Sequence, residues 1–175
     1  MQRLDVVANL FRSTLDTPFG ELKLAVDPDG VLVELWLPNR GRAIESLEAP
    51  SRAASEGMRA VQTQLREYFL GKRHAFDLPI QPRGTPFERR VWARLLEIPY
   101  GATTSYGEIA SEFGLPNGAR AVGRANGANP IPIIIPCHRV IGADGTLTGF
   151  GGGLPLKQAL LELEGAIPLP DPGLF

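Results

Sequence analysis

The N-terminal part of the chain alternates apolar and polar residues in the way that β-strands do. Turn sequences rich in Pro, Asp and Gly separate three strand-forming runs, which cover residues 11–17, 21–27 and 31–37. In the middle run, Leu22, Leu24 and Val26 fall on one face. The pattern predicts an antiparallel sheet with one buried side.

A helix is predicted after this sheet, over residues 52–70. Its apolar residues recur three or four positions apart, at Met58, Val61, Leu65 and Phe69. Residues 77–86 then contain three prolines and one glycine, which is typical of a linker. We therefore expect an N-terminal domain over residues 1–82 and a C-terminal domain over residues 83–175.

The second part of the chain begins with helices. Thr85-Pro-Phe-Glu88 and Ser105-Tyr-Gly-Glu108 are capping-box sequences, each of which predicts a helix start. A further helix, capped by Asn117, is expected to run to about Gly127. Two short helices joined by a tight turn suggest a helix-turn-helix. A last helix is predicted over residues 154–164.

The net charge of −1 does not indicate a nucleic-acid-binding protein, but the distribution of charge is more informative. Between Phe113 and Ala143 there is no Asp or Glu, whereas Arg120, Arg124 and Arg139 all lie there. A local basic face can bind phosphates even when the total charge is near zero. A chance gap in the acidic residues explains the same pattern equally well, so both interpretations stay open.

Composition limits the class of protein further. Hydrophobic residues make up 43% of the chain, which is enough for a core. One cysteine and two histidines are too few for an ordinary zinc or iron–sulfur site, so we expect no metal and no other cofactor. Neither a membrane span nor a signal peptide is evident. We expect no membrane partner and a cytoplasmic location, or a nuclear one in a eukaryote.

Cys137 follows an apolar, proline-rich run and precedes His138 and Arg139. A lone cysteine at the end of an apolar strand is more often structural than catalytic. However, His138 could act as a base, and the charge of Arg139 favours a thiolate. Neighbours on an extended strand point to opposite faces, so His138 reaches Cys137 through a water or not at all. Glu164, in the last turn of a helix, is either a solvated residue or the partner of an imidazolium.

The segment Pro136-Cys-His-Arg-Val140, preceded by Asn129-Pro-Ile-Pro-Ile-Ile-Ile, resembles the active-site signature of the O6-alkylguanine-DNA alkyltransferases. Further matches to this family follow in order and spacing at Ser105-Tyr106, Ala119–Gly123, Gly152–Leu154 and Leu163–Gly165. The similarity covers nearly all of residues 85–166 and is looser before them. It implies an α+β fold, with a ribonuclease-H-like antiparallel sheet and helix followed by a winged helix-turn-helix-like helical domain.

The resemblance also implies roles for particular residues. Cys137 would accept the alkyl group from the O6 oxygen of guanine by direct displacement. His138 would take the thiol proton through a water, with Glu164 orienting the imidazole. Tyr106 would donate to the departing guanine, and Asn129 would bridge the DNA-binding helices to the active-site loop.

The implied partner is double-stranded DNA containing O6-alkylguanine, bound in the minor groove with the damaged base flipped out. Arg120 would fill the gap that the base leaves, and the residues expected to contact DNA are Ser105, Tyr106, Ala119, Arg120 and Arg124. The expected base pocket is formed by Pro132, Val140, Phe150 and Gly151. Several relatives carry a serine where Gly151 stands, and we expect a roomier pocket that accepts alkyl groups larger than methyl.

Four interpretations follow from these observations. The first is a single-turnover repair enzyme, a methylated-DNA–[protein]-cysteine S-methyltransferase that acts as a monomer; its activity on O4-alkylthymine and its cooperativity on DNA are left open. The second is a non-catalytic, lesion-recognising alkyltransferase-like protein, but such proteins lack the cysteine found at Cys137. A cysteine hydrolase with a Cys-His-Glu triad and a helix-turn-helix regulator with a structural thiol are the others. We favour the first.

Overall fold

The structure is a computed structural model that describes residues 9–41 and 49–169. The chain divides into two compact units. The first comprises residues 1–84 together with the short segment 130–132, and the second comprises residues 85–129 and 133–175. The architecture is α+β, as the sequence predicts.

An antiparallel sheet with strand order β1-β2-β3 forms the first unit. Its strands are β1 (Phe11–Thr17), β2 (Gly20–Val26) and β3 (Leu32–Trp36). The predicted inward residues are buried: Leu22, Leu24 and Val26. The expectation of a single buried side is wrong, because Leu10, Ala25 and Val33 form a buried cluster against which Trp36 packs.

Helix α1 (Arg52–Phe69) packs on this sheet. Its buried stripe consists of Met58, Val61, Leu65 and Tyr68. Tyr68 is buried where Phe69 is predicted to be. It lies three residues after Leu65, a helical spacing that keeps it on the same face as the rest of the stripe. Gly57 permits a close approach to the β2–β3 turn, since a Cβ atom there would lie 2.2 Å from the Gly30 carbonyl oxygen.

The stretch predicted as a linker is in part bonded to the sheet. The Leu32 N–H donates to the Pro79 carbonyl at 2.9 Å, and the Gln81 N–H donates to the Leu32 carbonyl at 2.9 Å. The linker prediction is therefore wrong for residues 79–81. Proline lacks the backbone N–H but keeps its carbonyl, so the Pro79 carbonyl can still accept a hydrogen bond from the edge of a strand.

The second unit contains four helices within the described residues: α2 (Pro86–Leu95), α3 (Tyr106–Glu112), α4 (Ala119–Gly127) and α5 (Leu154–Leu163). Both predicted capping boxes form, at Thr85 and at Ser105. Helices α2 and α4 are bonded through Trp92, whose buried Nε1–H donates to the Ala125 carbonyl at 2.8 Å. The short strands β4 (Thr104–Ser105) and β5 (Val140–Ile141) pair in parallel.

Helices α3 and α4 are joined by a tight turn, as the helix-turn-helix prediction requires. The expectation that Asn117 caps α4 is wrong, because the N-cap is Gly118 and no side chain bonds there. A Cβ atom at Gly118 would lie 2.5 Å from the Leu115 Cβ atom, so the turn needs a glycine at that position.

Candidate active site

Cys137 begins a single 3-10 turn, Cys137–Arg139, that leads into β5. The prediction that it ends an extended strand is wrong, and the argument from alternating faces therefore does not apply to Cys137 and His138. The parallel pairing of Thr104 with Val140 places the start of α3 beside this turn. The fold thus brings Tyr106, the first residue of α3, to the segment that carries the cysteine.

The Cys137 thiol is buried, with the residue 5% exposed. Burial raises the pKa of Cys137 to about 11, although a hydrogen bond from the Asn129 side chain and the charge of Lys157 act in the opposite direction. The expectation that Arg139 favours the thiolate is not met, because this guanidinium is buried and paired with Glu164. For the same reason Arg139 is not part of an exposed basic face.

Glu164 is the C-cap residue of α5 and is buried. Its Oε1 lies 2.7 Å from His138 Nε2 and accepts from an Arg139 Nη at 3.0 Å, while its Oε2 accepts from Arg139 Nε at 2.8 Å. Burial alone would raise the pKa of Glu164, but the hydrogen bonds from His138 and Arg139 hold it at about 2. Glu164 is therefore an ionised internal partner, and the alternative of a solvated residue is excluded.

The Glu164 contact fixes the state of the His138 ring. Burial lowers the pKa of His138 despite the neighbouring carboxylate, so the imidazole is neutral at pH 7. Because an ionised carboxylate can only accept, we assign the ring proton to Nε2. The remaining nitrogen, Nδ1, is buried and has no hydrogen-bond partner within the described part of the chain. It is the basic atom of the site.

Tyr106 and Asn129, which the sequence analysis assigns to the site, both belong to the second unit, as Cys137 does. The Tyr106 hydroxyl lies 3.4 Å from the Thr148 carbonyl oxygen, and burial raises the pKa of Tyr106, so the phenol keeps its proton at pH 7. The Asn129 side chain donates to the Ile135 carbonyl at 2.8 Å as well as to Cys137.

The residues expected to contact DNA differ in exposure. Ala119, Arg120 and Arg124 are exposed on α4. Ser105 is buried and serves as the N-cap of α3, where its hydroxyl accepts from the Glu108 N–H. A groove of about 510 Å³ lies along α3 and the start of α4, and its lining includes Ser105 and Ala119.

Three of the four residues of the expected base pocket, Val140, Phe150 and Gly151, belong to the second unit. Val140 is buried, and Phe150 and Gly151 are half-buried in the loop before α5. The Phe150 ring meets the His138 ring edge-on, with centroids 6.5 Å apart. Pro132 is buried and belongs to the segment that groups with the first unit.

Two buried polar residues escaped the sequence analysis. Asn126 on α4 donates from Nδ2 to the Cys137 carbonyl at 3.3 Å, and its Oδ1 has no partner among the residues described. Lys157 on α5 donates to the Val140 carbonyl at 2.6 Å and to the Thr148 carbonyl at 2.7 Å. Both lie on the apolar stripes of their helices, and a polar residue in such a stripe is the signal that could have found them.

The described residues contain neither a metal-binding cluster nor a membrane-spanning helix. Across residues 9–41 and 49–169, no three His, Cys, Asp or Glu side chains are grouped as a metal ion would need. Likewise, none of the helices in these ranges is both long and apolar enough to cross a bilayer.

The fold and this geometry define a two-unit α+β protein with a helix-turn-helix and, beside it, a buried cysteine next to a His–Glu pair. Residues 86–166 match the family described as 6-O-methylguanine DNA methyltransferase, DNA binding domain. Residues 10–82 match the ribonuclease-like domain of 6-O-methylguanine DNA methyltransferase. The chain belongs to this family.

Individual relatives agree with the family match. A Mycobacterium bovis protein named methylated-DNA–protein-cysteine methyltransferase is 49% identical over 166 residues, which are 93% of this chain and 96% of that protein. A protein of the same name from Methanosarcina mazei is 55% identical over 155 residues, or 89% and 97%. The crystal structure of Mycobacterium tuberculosis OGT in complex with DNA superimposes with a TM-score of 0.78 at 48% identity, covering 89% of this chain and 92% of that chain.

Proposed function

We propose that the protein repairs DNA by direct reversal, as a methylated-DNA–[protein]-cysteine S-methyltransferase that transfers the alkyl group of O6-alkylguanine to its own Cys137. Family membership and the names of the relatives support this activity. The observation that carries it is the buried Cys137 thiol followed directly by His138. Its Nδ1 has no hydrogen-bond partner among the described residues, while Glu164 holds Nε2. We further propose that the domains divide at residues 1–82 and 83–175.

The first step is removal of the thiol proton. A thiol with a pKa of about 11 keeps its proton at pH 7, so the nucleophile needs a base. His138 Nδ1 takes this proton through a water, which would also give the buried nitrogen its missing partner. Glu164 holds the opposite ring nitrogen and stabilises the imidazolium that forms.

The second step is displacement at the alkyl carbon. The Cys137 thiolate attacks this carbon, so that a C–S bond forms as the C–O6 bond breaks. Tyr106, protonated at pH 7, donates to the departing guanine so that the base does not leave as a bare anion. Afterwards the His138 imidazolium loses its proton to water and Tyr106 regains one from water, so that in total guanine gains the one proton that the thiol loses.

We propose that α4 carries the DNA-binding surface. The exposed guanidiniums of Arg120 and Arg124 suit phosphate and minor-groove contacts. The damaged base must leave the stack to reach a buried thiol, and unstacking costs a few kcal/mol. We propose that Arg120, in the first turn of α4, fills the gap, and that the protein acts on the minor-groove side as a monomer.

Mass spectrometry tests this function. The protein is mixed with a duplex that contains one O6-methylguanine, and the expected result is a gain of one methyl group on Cys137 with loss of the lesion. Cys137→Ala should bind the duplex without removing the methyl group. Tight lesion binding by the unchanged chain with no gain in mass would instead support the non-catalytic, lesion-recognising alternative.

A further inference from the structure

Asn126 is a buried asparagine on α4 to which the proposed mechanism assigns no role. The residue is 4% exposed, and its Nδ2 donates to the Cys137 carbonyl at 3.3 Å. Its Oδ1 is buried as well and has no hydrogen-bond partner in the part of the chain that the structure describes. A buried polar atom without a partner costs free energy, so this oxygen calls for a reason beyond packing.

The bond to Cys137 decides which end of the Asn126 amide is unpaired. The reversed amide would place Oδ1 against the Cys137 carbonyl, where two acceptors would face each other. The unpaired atom is therefore the oxygen, which can only accept. Because the same amide is bonded to the backbone of Cys137, this acceptor lies next to the residue that carries the nucleophile.

The second asparagine near the nucleophile, Asn129, is used differently. Its side chain donates to the Ile135 carbonyl at 2.8 Å and to Cys137, so it contacts both the backbone and the thiol. Helix α4 is anchored directly before Asn126, where the Ala125 carbonyl accepts from the buried Trp92 Nε1–H at 2.8 Å. Asn126 is thus held on an anchored helix, with its amide nitrogen in use and its oxygen unpaired.

The chemistry of the substrate supplies one donor that matches this oxygen. Alkylation of O6 fixes the guanine ring in a form whose N1 carries no hydrogen, so that N1 can only accept. On the base edge that carries O6, the 2-amino group is then the one hydrogen-bond donor. Enzymes that flip a base read this edge through hydrogen bonds. An acceptor beside the nucleophile therefore suits the 2-amino group and neither O6 nor N1.

We propose that Asn126 is a specificity-determining residue, whose Oδ1 accepts a hydrogen bond from the 2-amino group of the flipped O6-alkylguanine while Nδ2 stays on the Cys137 carbonyl. This inference rests on the proposed function. A base that brings its alkyl carbon to the buried Cys137 sulfur presents the amino group to this oxygen. Asn126 makes no bond to the alkyl group and moves no proton. A base without the amino group leaves the oxygen buried and unpaired, which lowers its rate of reaction.

The contact is tested by removing one group from the base and one from the protein. Single-turnover rates are measured at saturating protein on two duplexes that differ in one base, O6-methylguanine or O6-methylhypoxanthine, which lacks the 2-amino group. The readout is the ratio of the two rates. Differences in pairing and flipping between the two duplexes are the same for every variant, so they cancel when the ratios of two variants are compared.

Wild-type protein should react about tenfold or more faster with O6-methylguanine than with O6-methylhypoxanthine. Asn126→Leu keeps a similar volume without the amide, and the ratio should fall about fivefold or more. Trp92→Phe is the matched control, because it removes a buried hydrogen bond from the preceding residue of α4 and should keep the wild-type ratio. An Asn126→Leu protein that reacts more slowly with both duplexes by the same factor would overturn the proposal, since an amide that only supports the fold or holds a water gives that result.

Two further variants complete the test. Asn126→Asp keeps an acceptor oxygen and should keep the preference for O6-methylguanine, and a ratio as low as that of Asn126→Leu would count against the proposal. If Asn126→Leu does not fold, Asn126→Ala takes its place with the same expected fall in the ratio. Failure of the proposed function looks different, because wild-type protein would then gain no methyl group on Cys137 from either duplex. A methyl group gained by wild type together with an unchanged ratio in the variant would overturn the role of Asn126 alone.

Discussion

At the scale of single residues, the site depends on one carboxylate that binds two basic side chains, a charged guanidinium and a neutral imidazole. Glu164 binds the Arg139 guanidinium and the His138 ring together. Arg139 is its permanent charge partner, whereas His138 is neutral and, in the proposed mechanism, becomes charged when it takes the thiol proton. This division explains why an arginine directly after a Cys-His pair does not act on the thiol itself.

The Glu164 contacts predict a pH-dependent contribution to stability. Its pKa of about 2 in the folded protein, against 4.5 as its ordinary value, corresponds to about 3 kcal/mol. Because the folded pKa is lowered, this stability is present above about pH 4.5 and is lost as the pH falls toward 2. The measurement is the free energy of unfolding of wild type minus Glu164→Gln across this range. Glu162→Gln is the matched control, and an equally large, pH-independent difference for both variants would contradict the assignment.

His138 is predicted to matter most at neutral pH. His138→Gln keeps an N–H that can reach Glu164 but has no basic nitrogen. We expect the single-turnover rate on an O6-methylguanine duplex to fall at least about 100-fold at pH 7. The deficit should shrink as the pH rises toward the thiol pKa, because hydroxide then removes the proton. A ratio of wild-type to variant rates that stays constant with pH would rule out the role as base.

Gly151 is predicted to set the size of the alkyl group that the pocket accepts. With glycine in place of a serine, we expect benzyl or ethyl groups to react faster, relative to methyl, than in Gly151→Ser. Rates on matched duplexes give the ratio, and Gly151→Ala controls for bulk without a hydroxyl. The expectation fails if the ratio is unchanged in Gly151→Ser.

At the scale of elements, α4 connects the proposed DNA-binding surface to the site. Arg120 is exposed near its start, and Asn126 near its end bonds to the Cys137 carbonyl. The helix therefore carries both a solvent-facing cation and a buried contact to the nucleophile's backbone. Loss of the Asn126 amide would leave a buried carbonyl with one donor fewer, an interaction of about 1 kcal/mol.

Arg120→Ala is predicted to separate base flipping from chemistry. Reaction with duplex O6-methylguanine should fall roughly tenfold or more, since the gap left by the base costs a few kcal/mol. Reaction with a free O6-benzylguanine base should stay near the wild-type rate, because no stack is opened. Arg124→Ala, one turn along the same face, is the control that should weaken DNA binding without changing the rate at saturation. Equal losses on duplex and free base would place Arg120 in the chemistry instead.

Elements with strong local signals could be predicted from the sequence. The capping boxes at Thr85 and Ser105 and the three strands are such cases, because neighbouring residues determine them. The strand predicted at Cys137 is a 3-10 turn in the structure. An apolar, proline-rich run has no distinctive period, so its sequence does not separate the two. The preceding Ile133 has a φ of 74°, a conformation that β-branched residues rarely adopt and that tertiary packing must impose.

Site residues that belong to a sequence motif could be predicted, whereas those whose position depends on tertiary packing could not. The pairing of His138 with Glu164 follows from the family resemblance, and the structure brings the two side chains together. The burial of Arg139 and Lys157 depends on elements far apart in the chain, so their partners cannot be read from local sequence. Of the two interpretations of the charge distribution left open by the sequence, an exposed basic face therefore does not apply to Arg139, which is buried.

At the scale of the whole molecule, most of the predicted chemistry falls within one compact unit. Cys137, His138, Glu164, Tyr106 and Asn129 all belong to the second unit, which has its own buried core. Pro132 is the member of the expected site that groups with the first unit. The sequence alone predicted two domains but could not assign this short segment, because its partner is the β3 strand, where the Leu35 N–H donates to the Pro130 carbonyl.

Each protein molecule is predicted to accept one alkyl group and then to be inactive. A thioether carbon on Cys137 has no leaving group that water can displace at neutral pH, and the alkyl group therefore stays on the protein. Lesions removed should rise linearly with added protein at a slope of one and stop when the protein is consumed. The measurement is a titration in which increasing amounts of protein are added to an excess of O6-methylguanine duplex. Chromatography of the digested DNA gives the lesions that remain. The number of active protein molecules is counted separately, from the thiol that reacts with iodoacetamide. Continued loss of lesion after all Cys137 is alkylated would mean turnover and favour a hydrolase, whereas a plateau at the thiol count supports a stoichiometric acceptor.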